Sequence, residues 1–403
     1  MKITVAIDSL KGSLASMEAG NAAKGGILRV YPEAEVFVSP LADGGEGTVD
    51  ALTEGLGGRI RTISVSDPLG RPLQADYGIL TSPGQGEPLA VIEMAAASGL
   101  PLLAAAERNP LRTTTYGVGE LILDAIRQGC RRFLIGIGGS ATNDGGAGML
   151  QALGARVVDD QGCNIAPGLA GLEHVVSIDL APALRALSGA RVVVLSDVEN
   201  PLVGRRGALA VFGGQKGLPA DDAEVLRRCD SWMVGYGRLL DTAIARARAQ
   251  GLLRTPKGAR TFGSVLGVPG AGAAGGLGAA LLALGAELRS GVETVLDLIG
   301  FDERVRDVDL VITGEGNMDE QSAAGKAPVG VARRAKRYGK PVVAVVGGRA
   351  DNLDAVYEQG IDLVLPICRK PMDLEQALDP QEAPTNLICA GEAAAQAYDL
   401  ARL

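Results

Sequence analysis

The sequence predicts an α/β protein with two domains, and three observations indicate this fold class. Short apolar runs alternate with segments of helical periodicity, which is the pattern of βαβ units in a largely parallel sheet. The chain has 403 residues, which is more than one hydrophobic core usually serves. It contains 57 glycines, and this number favours many close turns between strands, loops and helices.

The two ends of the chain resemble each other more than either end resembles the middle. Near the N-terminus the pattern predicts strands over residues 3–7 and 35–39 and a helix over residues 17–30. Near the C-terminus it predicts strands over 310–313, 342–346 and 363–366 and a helix over 327–337. We therefore predict a discontinuous, Rossmann-like parallel-sheet domain formed by residues 1–64 and 287–403.

The middle of the chain differs because it begins with alternating apolar and polar residues. Two such segments, 59–65 and 73–80, flank a turn rich in Pro and Gly and predict antiparallel strands. Further predicted elements are strands over 89–93, 133–137 and 190–196 and a long polar helix over about 221–249. We therefore predict an inserted mixed α/β domain over residues 65–286, with the active site in the cleft between the two domains.

Charge and cysteine content argue against several classes of protein. The formal net charge is −8 and no Lys/Arg-rich block is interleaved with aromatic residues, so we expect neither nucleic acid nor an anionic membrane as a partner. The five cysteines are scattered without a Cys-x-x-Cys pair, which argues against a disulfide framework or a structural zinc site and favours the cytoplasm. Residues 266–286 carry no charge, but Gly and Ala dominate them, which indicates a glycine loop that opens a buried helix.

Polar, glycine-flanked segments occur where predicted strands end, which is where ligands bind in open α/β sheets. Six such segments are residues 8–13, 42–48, 138–146, 196–201, 213–217 and 313–326. In the third, a glycine-rich turn between a strand and a helix offers backbone N–H groups to an anion, and Ser140 and Thr142 add hydroxyl donors. Asp144 must hold a metal, a hydroxyl or a backbone donor there, and a tight loop with a capping Asp is the alternative.

Other segments also leave alternatives open. Lys11 could hold a phosphate as a point charge, whereas Ser13 beside it could be a plain helix N-cap. Asp197 follows a Val-rich strand and is either a catalytic base or part of an Asx turn before a proline. Lys216 lies among glycines, and residues 313–326 supply acids for a metal and a lysine for phosphate. Both of these last segments could be surface turns, and we favour function for residues 313–326.

Several common catalytic motifs are missing from the sequence. It contains no Walker A motif, no Gly-x-Ser-x-Gly and no zinc-ligand spacing, and His174 is its single histidine. Residues 270–275 match Gly-x-Gly-x-x-Gly, but no convincing strand precedes them, so we interpret them as a turn that lets a nucleotide or another backbone come close. The remaining acids, lysines, hydroxyls and glycine amides are what phosphoryl transfer requires.

Taken in order, these segments resemble those of the bacterial type I glycerate kinases. The resemblance rests on residues 8–13, 42–48, 138–146, 197–202, 215–217, 270–278 and 314–328. Departures are Leu10 where Phe is usual, Gly214 where Pro is common, and Ser322 where Thr is common, and none of them removes a charged group. The resemblance implies two α/β domains with the active site between them, and ATP-dependent phosphorylation of D-glycerate, most often at the 2-hydroxyl.

Residue type and strand-end position assign hypothetical roles within such a site. We expect Asp197 or Asp43 to accept the proton, Lys11 to neutralise charge in catalysis, and Glu315 and Asp319 to hold Mg²⁺. The residues expected to bind the cofactor or another anion are Gly138, Gly139, Ser140, Thr142, Lys216, Gly272, Gly275 and Lys326. The expected cofactors are ATP and Mg²⁺, the expected partners are D-glycerate and ATP, and a homodimer is the oligomer considered.

Other functions stay open on the sequence alone. The chain could be a D-glycerate 3-kinase or a kinase of a related small hydroxy acid. A non-catalytic sugar-acid binding protein is an alternative from another class, although a pure anion sensor gains nothing from surplus carboxylates. An NAD-dependent dehydrogenase would instead use the loop at residues 270–275.

Overall fold

The computed structural model describes residues 1–81, 86–219, 222–253 and 262–400 of the chain. The chain divides into two compact units. The terminal unit consists of Met1–Asp43, Gly47–Gly58 and the chain from Ser290 onward, and the inner unit consists of Gly44–Glu46 and Arg59–Arg289. Each unit combines helices with a sheet, which confirms the predicted α/β class.

The strands and helices of the described residues alternate along most of the chain. The strands are β1 (Lys2–Ile7), β2 (Glu35–Val38), β3 (Arg59–Ser66), β4 (Pro72–Leu80), β5 (Leu89–Glu93), β6 (Arg132–Gly136), β7 (Arg156–Val158), β8 (Ser177–Asp179), β9 (Arg191–Leu195), β10 (Glu287–Arg289), β11 (Leu310–Met318), β12 (Val342–Arg349) and β13 (Leu363–Pro366). The helices are α1 (Ser16–Val30), α2 (Thr48–Gly55), α3 (Ala95–Ser98), α4 (Tyr116–Arg127), α5 (Ala147–Ala152), α6 (Ala181–Ala186), α7 (Ala208–Phe212), α8 (Ala223–Ala249), α9 (Leu277–Ala283), α10 (Gly291–Leu298), α11 (Phe301–Val305), α12 (Ala327–Arg337), α13 (Asp354–Glu358), α14 (Leu374–Ala377) and α15 (Ala383–Leu400).

The terminal unit contains a five-stranded parallel sheet in the order β13-β12-β11-β1-β2. Strand β1 lies between β11 and β2 and is buried from Ile3 to Ile7. Such continuous apolar runs are typical of parallel strands that are covered on both faces. Because the five strands run in one direction, their carboxyl ends meet at the same edge of the sheet.

The inner unit contains a six-stranded mixed sheet in the order β10-β9-β6-β5-β4-β3. The strands β3, β4 and β5 pair antiparallel, whereas β5, β6, β9 and β10 pair parallel. The antiparallel pairing of residues 59–65 with residues 73–80 is therefore as predicted. A separate two-stranded antiparallel sheet joins β7 and β8.

The units of the structure end at different residues from the predicted domains. β3 pairs with β4 along its whole length, from Arg59 opposite Ile79 to Ser66 opposite Pro72, so residues 59–64 belong to the inner unit. β10 pairs with β9, so residues 287–289 belong there as well. Hydrogen bonds to a neighbouring strand decide both boundaries, and composition alone does not mark them.

Two predictions about helices are confirmed. The uncharged segment 266–286 contains a 3₁₀ turn over Ala273–Gly276 and then α9, in which every residue is buried. The long polar helix is α8, where the N-cap Asp222 accepts from two backbone N–H groups, and residue 221 lies outside the described residues. Across the described ranges no helix has both the length and the apolar character that crossing a membrane requires. All five cysteines are free thiols.

Candidate active site

The first polar group lies at the carboxyl end of β1 and beside it on β11 in the terminal unit. Asp8 follows β1 directly, and its backbone N–H donates to the carbonyl oxygen of Gly314 in β11 over 2.9 Å. The Asp8 carboxylate accepts from the N–H of Ser9 over 2.8 Å. Glu315 is the next residue on β11 and is 7% exposed. The parallel pairing of β1 with β11 therefore brings two carboxylates that are far apart in sequence to one sheet edge.

A tight turn after β1 carries Lys11. An isolated bridge closes the turn over residues 10–14, and Gly12 has a positive φ of 78° within it. Lys11 is exposed on this turn. Ser13 is not the N-cap of α1, because Ala15 occupies that position, so the N-cap alternative for Ser13 is wrong. The Ser13 hydroxyl is instead buried without a hydrogen-bond partner.

Ser16, the first residue of α1, links the end of β1 to the segment that carries Asp43. Its hydroxyl donates to the carbonyl oxygen of Ile7 over 2.7 Å and accepts from the N–H of Leu41 over 3.0 Å. Ser16 is buried, so this link is protected from water. Asp43 follows two residues after Leu41, within electrostatic reach of Asp8.

The predicted metal ligands Glu315 and Asp319 both lie beside Lys326 in the terminal unit. The Lys326 Nζ is 3.4 Å from Glu315 Oε2 and 3.6 Å from Asp319 Oδ1. Asp319 also accepts from the N–H of Gln321 over 2.9 Å and from the amide of Asn317 over 3.1 Å. Asp319 therefore caps the 3₁₀ turn that follows β11, and its role as a metal ligand stays a prediction.

Burial and like charge raise the pKa values of carboxyl groups in this cluster. Burial, and after it the charges of Asp43 and Glu315, raise the pKa of Asp8 to about 7, against the opposing effects of the Ser9 N–H and Lys11. Burial also raises the pKa of Glu315, which Ser322 and Lys326 oppose. The nearby lysines, Lys11 and Lys326, therefore only partly offset the effects of burial and like charge on these carboxyl groups.

A divalent cation would complement these carboxylates. The Oε1 atom of Glu315 is buried without a hydrogen-bond partner, so this oxygen is available to bind a cation. Among the described residues no three carboxylate, imidazole or thiolate side chains form a metal site by themselves. Mg²⁺ commonly binds through one or two carboxylates plus substrate phosphates, so the donor set fits a magnesium–nucleotide complex better than a closed protein cage.

The second polar group lies in the inner unit, on the segment that follows β6. We call residues 138–146 the Ser140 loop. Gly138 and Gly139 are exposed, and Gly139 has a φ of 72°. A backbone bridge joins Gly99 to Ser140, and the N–H of Leu100 donates to the carbonyl oxygen of Gly139 over 2.8 Å. These bonds hold the start of the loop against the segment after α3.

Asp144 is a buried structural anchor of the Ser140 loop. It is 1% exposed, and its carboxylate accepts from the N–H groups of Thr115, Gly146 and Gly148 over 2.8, 3.0 and 3.2 Å. It also accepts from the Thr115 hydroxyl over 2.9 Å. Burial raises the pKa of Asp144, and these hydrogen bonds oppose the rise. We expected Asp144 to hold a metal, a hydroxyl or a backbone donor, and its partners in the structure are a hydroxyl and backbone N–H groups.

Lys216 lies inside the inner unit and is 1% exposed. Its Nζ donates to Ser140 Oγ over 2.8 Å, to the carbonyl oxygen of Thr142 over 2.7 Å and to Asn143 Oδ1 over 3.3 Å. Burial lowers the pKa of Lys216 to about 7, and the charge of Asp144 opposes this. In this structure the three donors of Lys216 are engaged by the protein itself, and its expected binding of the cofactor or another anion stays a prediction.

The glycine-rich segment 270–278 packs against the Ser140 loop through backbone atoms. A Cβ on Gly275, which has a φ of 65°, would lie 2.0 Å from the carbonyl oxygen of Thr142. A Cβ on Gly272 would lie 2.2 Å from the carbonyl oxygen of Pro201. The N–H of Gly145 donates to the carbonyl oxygen of Gly275 over 3.0 Å. Of the two alternatives for this turn, close approach of another backbone is observed, and the contact of Gly272 and Gly275 with a nucleotide stays a prediction.

Asp197 lies exposed, two residues after the end of β9 in the inner unit. The N–H of Ser196 donates to the carbonyl oxygen of Arg289 on β10 over 3.0 Å, which extends the pairing of the two strands. The Ser196 hydroxyl is buried without a hydrogen-bond partner. Asp197 therefore follows a well-anchored backbone and is accessible to solvent.

Two residues were not among the predicted site residues. Asp8 could have been found, because it is the first residue after the first strand. Asn143 lies in the glycine-rich turn, but its role depends on Lys216, which binds its side-chain oxygen. The Asn143 Nδ2 and the Thr142 hydroxyl are buried without hydrogen-bond partners.

Comparisons with known proteins extend over nearly the whole chain. The sequence model of the Glycerate kinase family matches residues 3–399. Glycerate 2-kinase of Escherichia coli (strain K12) is 44% identical over 378 residues, covering 94% of this chain and 93% of that protein. Glycerate kinase of Bacillus subtilis (strain 168) is 45% identical over 380 residues, with the same two coverages. A crystal structure of a glycerate kinase 2 from Salmonella typhimurium LT2 is 42% identical and has a TM-score of 0.84, covering 100% of this chain and 99% of that chain.

Proposed function

Because the chain belongs to the glycerate kinase family, we propose that it transfers the γ-phosphoryl group of ATP to the 2-hydroxyl of D-glycerate. The products are 2-phosphoglycerate and ADP. The observation that carries this proposal is the family match over residues 3–399, which includes every strand-end residue described above. The relative from Escherichia coli is named glycerate 2-kinase, and this supports the 2-hydroxyl as the acceptor.

The carboxylate cluster of the terminal unit is suited to a magnesium–nucleotide complex. One or two of the carboxylates of Asp8, Asp43 and Glu315 would hold the ion together with substrate phosphates, and Mg²⁺ bound there would neutralise phosphate charge during phosphoryl transfer. Lys11 is exposed beside Asp8 and would neutralise a phosphate as a point charge. Lys326 already spans two carboxylates, and it would turn to a phosphate oxygen when a cation takes over those carboxylates.

The proton of the acceptor hydroxyl must leave as the new bond forms. The hydroxyl oxygen bonds to the γ-phosphorus, the bond from that phosphorus to the β,γ-bridging oxygen breaks, and a carboxylate accepts the proton. We assign this role to Asp197, because it is exposed after β9, whereas Asp43 faces Asp8 within a cluster that suits a cation. Gly138, Gly139 and Ser140, at the start of the Ser140 loop, would bind an oxyanion of one substrate.

The product identifies the reaction directly. The purified protein is incubated with ATP, Mg²⁺ and D-glycerate, and the products are read by phosphorus NMR. We expect the signals of 2-phosphoglycerate and ADP. A 3-phosphoglycerate signal would support the kinase activity but refute the 2-hydroxyl as the acceptor. ATP turnover with a different hydroxy acid but none with D-glycerate would refute D-glycerate as the substrate.

Two substitutions separate the proton acceptor from the metal ligands. We expect Asp197→Asn to lower kcat by about 100-fold or more with an unchanged Mg²⁺ requirement, because a positioned base contributes about 10²–10⁴-fold. We expect Asp43→Asn to raise the Mg²⁺ concentration for half-maximal rate. Asp160→Asn, at an exposed turn of the inner unit, is the control and should change neither quantity. The reverse pattern would exchange the roles of Asp43 and Asp197.

A further inference from the structure

Lys216 is a buried ammonium whose hydrogen bonds go entirely to the Ser140 loop. It sits in the 3₁₀ turn Gly214–Lys216 and is followed by Gly217, which has a φ of 96°. The ammonium carries three donors and no acceptor. It has three acceptors within 3.3 Å, which are Ser140 Oγ, the Thr142 carbonyl oxygen and Asn143 Oδ1. A ligand therefore finds no unused N–H on this lysine.

The contact with Lys216 decides what Ser140 can do. A hydroxyl has one donor and two acceptor lone pairs. Because the Ser140 oxygen accepts from the ammonium, its own proton is left to be donated elsewhere. Ser140 is 8% exposed and follows directly on Gly138 and Gly139, which are exposed.

The same lysine sets the orientation of the Asn143 amide. Only the side-chain oxygen of Asn143 can accept from an ammonium, so the contact places Oδ1 towards Lys216 and leaves Nδ2 as a donor. That Nδ2 and the Thr142 hydroxyl are buried and have no hydrogen-bond partner. The loop thus accepts hydrogen bonds on the side of Lys216 and retains unused donors.

We infer that Lys216 is a positioning residue, which holds the Ser140 loop as a set of hydrogen-bond donors for a substrate oxyanion and acts on that oxyanion through Ser140. This inference rests on the proposed function for the identity of the substrates. The oxyanion is a phosphate oxygen of ATP or the carboxylate of D-glycerate, since both accept the same donors. In this proposal Lys216 supports the anion site through Ser140 and does not itself bind the anion.

The test is a double-mutant cycle between Lys216 and Ser140. The variants are Ser140→Ala, Lys216→Met and the double variant, and kcat and both KM values are measured for each. We expect each single variant to lower kcat/KM by about 10- to 100-fold, since a hydrogen bond to a charged group contributes that much. The double variant should be no slower than the slower single variant, because the two residues act as one unit.

The control for a merely structural role is Tyr236→Phe. The Tyr236 hydroxyl on α8 donates to the carbonyl oxygen of Gly145 over 3.0 Å, so its loss weakens the same loop without touching Ser140. We expect the fold-reductions in kcat/KM of Tyr236→Phe and Ser140→Ala to multiply when the two substitutions are combined. If Lys216→Met also multiplied with Ser140→Ala, the inference would be overturned, because Lys216 would then act independently of Ser140.

Changes in KM show which oxyanion the loop binds. A rise in KM for ATP alone identifies a phosphate, and a rise in KM for D-glycerate alone identifies the carboxylate. Unchanged kinetics in Ser140→Ala, which retains Lys216, would overturn the inference even if Lys216→Met failed to fold.

Binding experiments keep the inference separate from the proposed function. If the wild-type protein did not turn over D-glycerate, the proposed function would fail, and calorimetric titration with ATP and with D-glycerate would decide the inference. Equal weakening of one ligand by Ser140→Ala and Lys216→Met supports it. Weakening by neither variant, or by Lys216→Met alone, refutes it.

Discussion

Asp8 should make the stability of the protein depend on pH. Its carboxyl group lies at the end of β1 beside Asp43 and Glu315, and burial together with these charges raises its pKa to about 7. The folded chain therefore holds a proton on Asp8 in a pH range where the unfolded chain has lost it. The free energy of unfolding must fall as the pH rises from about 4 to about 7.

The size of the effect follows from the difference in pKa. The pKa of Asp8 rises from 3.8 to about 7, and at 1.36 kcal/mol per pKa unit this is at most about 4 kcal/mol. About 2 kcal/mol of it falls between pH 5 and pH 7. The figure is an upper bound, because the Asp8 side chain keeps partial access to solvent. Asp8→Asn keeps the shape of the side chain and removes this titration.

The assay is urea unfolding of the wild type and of Asp8→Asn at pH 5, 6, 7 and 8, with EDTA present. We expect the variant to gain stability relative to the wild type as the pH rises, and most of the gain to lie between pH 5 and pH 7. Asp50→Asn, at an exposed position on α2, controls for the loss of one negative charge. Parallel curves for the wild type and Asp8→Asn would refute the argument from burial and like charge.

Three further substitutions test the packing around the sites, each by urea unfolding. Gly275→Ala places a Cβ 2.0 Å from a backbone oxygen at a φ of 65°, so it should destabilise the protein by about 3 kcal/mol or more. Gly235→Ala on α8 meets nothing within 4 Å and should stabilise it by up to about 1 kcal/mol. Arg334→Met leaves Glu293, Asp297 and Asp302 unpaired, and since these acids are partly exposed we expect a loss of about 2 kcal/mol. A neutral Gly275→Ala or Arg334→Met, or a destabilising Gly235→Ala, would contradict these estimates.

Apolar periodicity predicted the positions of most elements closely. The helix predicted over residues 327–337 is α12, and the strand predicted over 363–366 is β13. The third strand of that group was predicted only over 310–313, whereas β11 continues to Met318. Residues 314–317 are glycines and polar residues without an apolar pattern, and pairing with β12, which continues to Arg349, holds this part of β11 as a strand.

The candidate site was predicted less completely than the fold. Residue type and strand-end position selected Asp43, Asp197 and Glu315, and their roles stay proposals. The same reasoning assigned Lys216 to the cofactor or another anion. The structure buries Lys216 against Ser140, a contact between residues that are 76 positions apart and that no local pattern indicates.

The sequence by itself determined the class of the fold, the order of its elements and the strand ends where polar residues gather. Each of these depends on local periodicity and on turn-forming residues, which act over a few positions of the chain. Only the tertiary structure decided which side chains meet. The pairing of β1 with β11 places Asp8 beside Glu315. The packing of segment 270–278 on the Ser140 loop leaves no room for a side chain at Gly275. Contacts of this kind depend on strand register and burial, which determine the partners and the charge of each group. Neither register nor burial can be read from a local stretch of sequence.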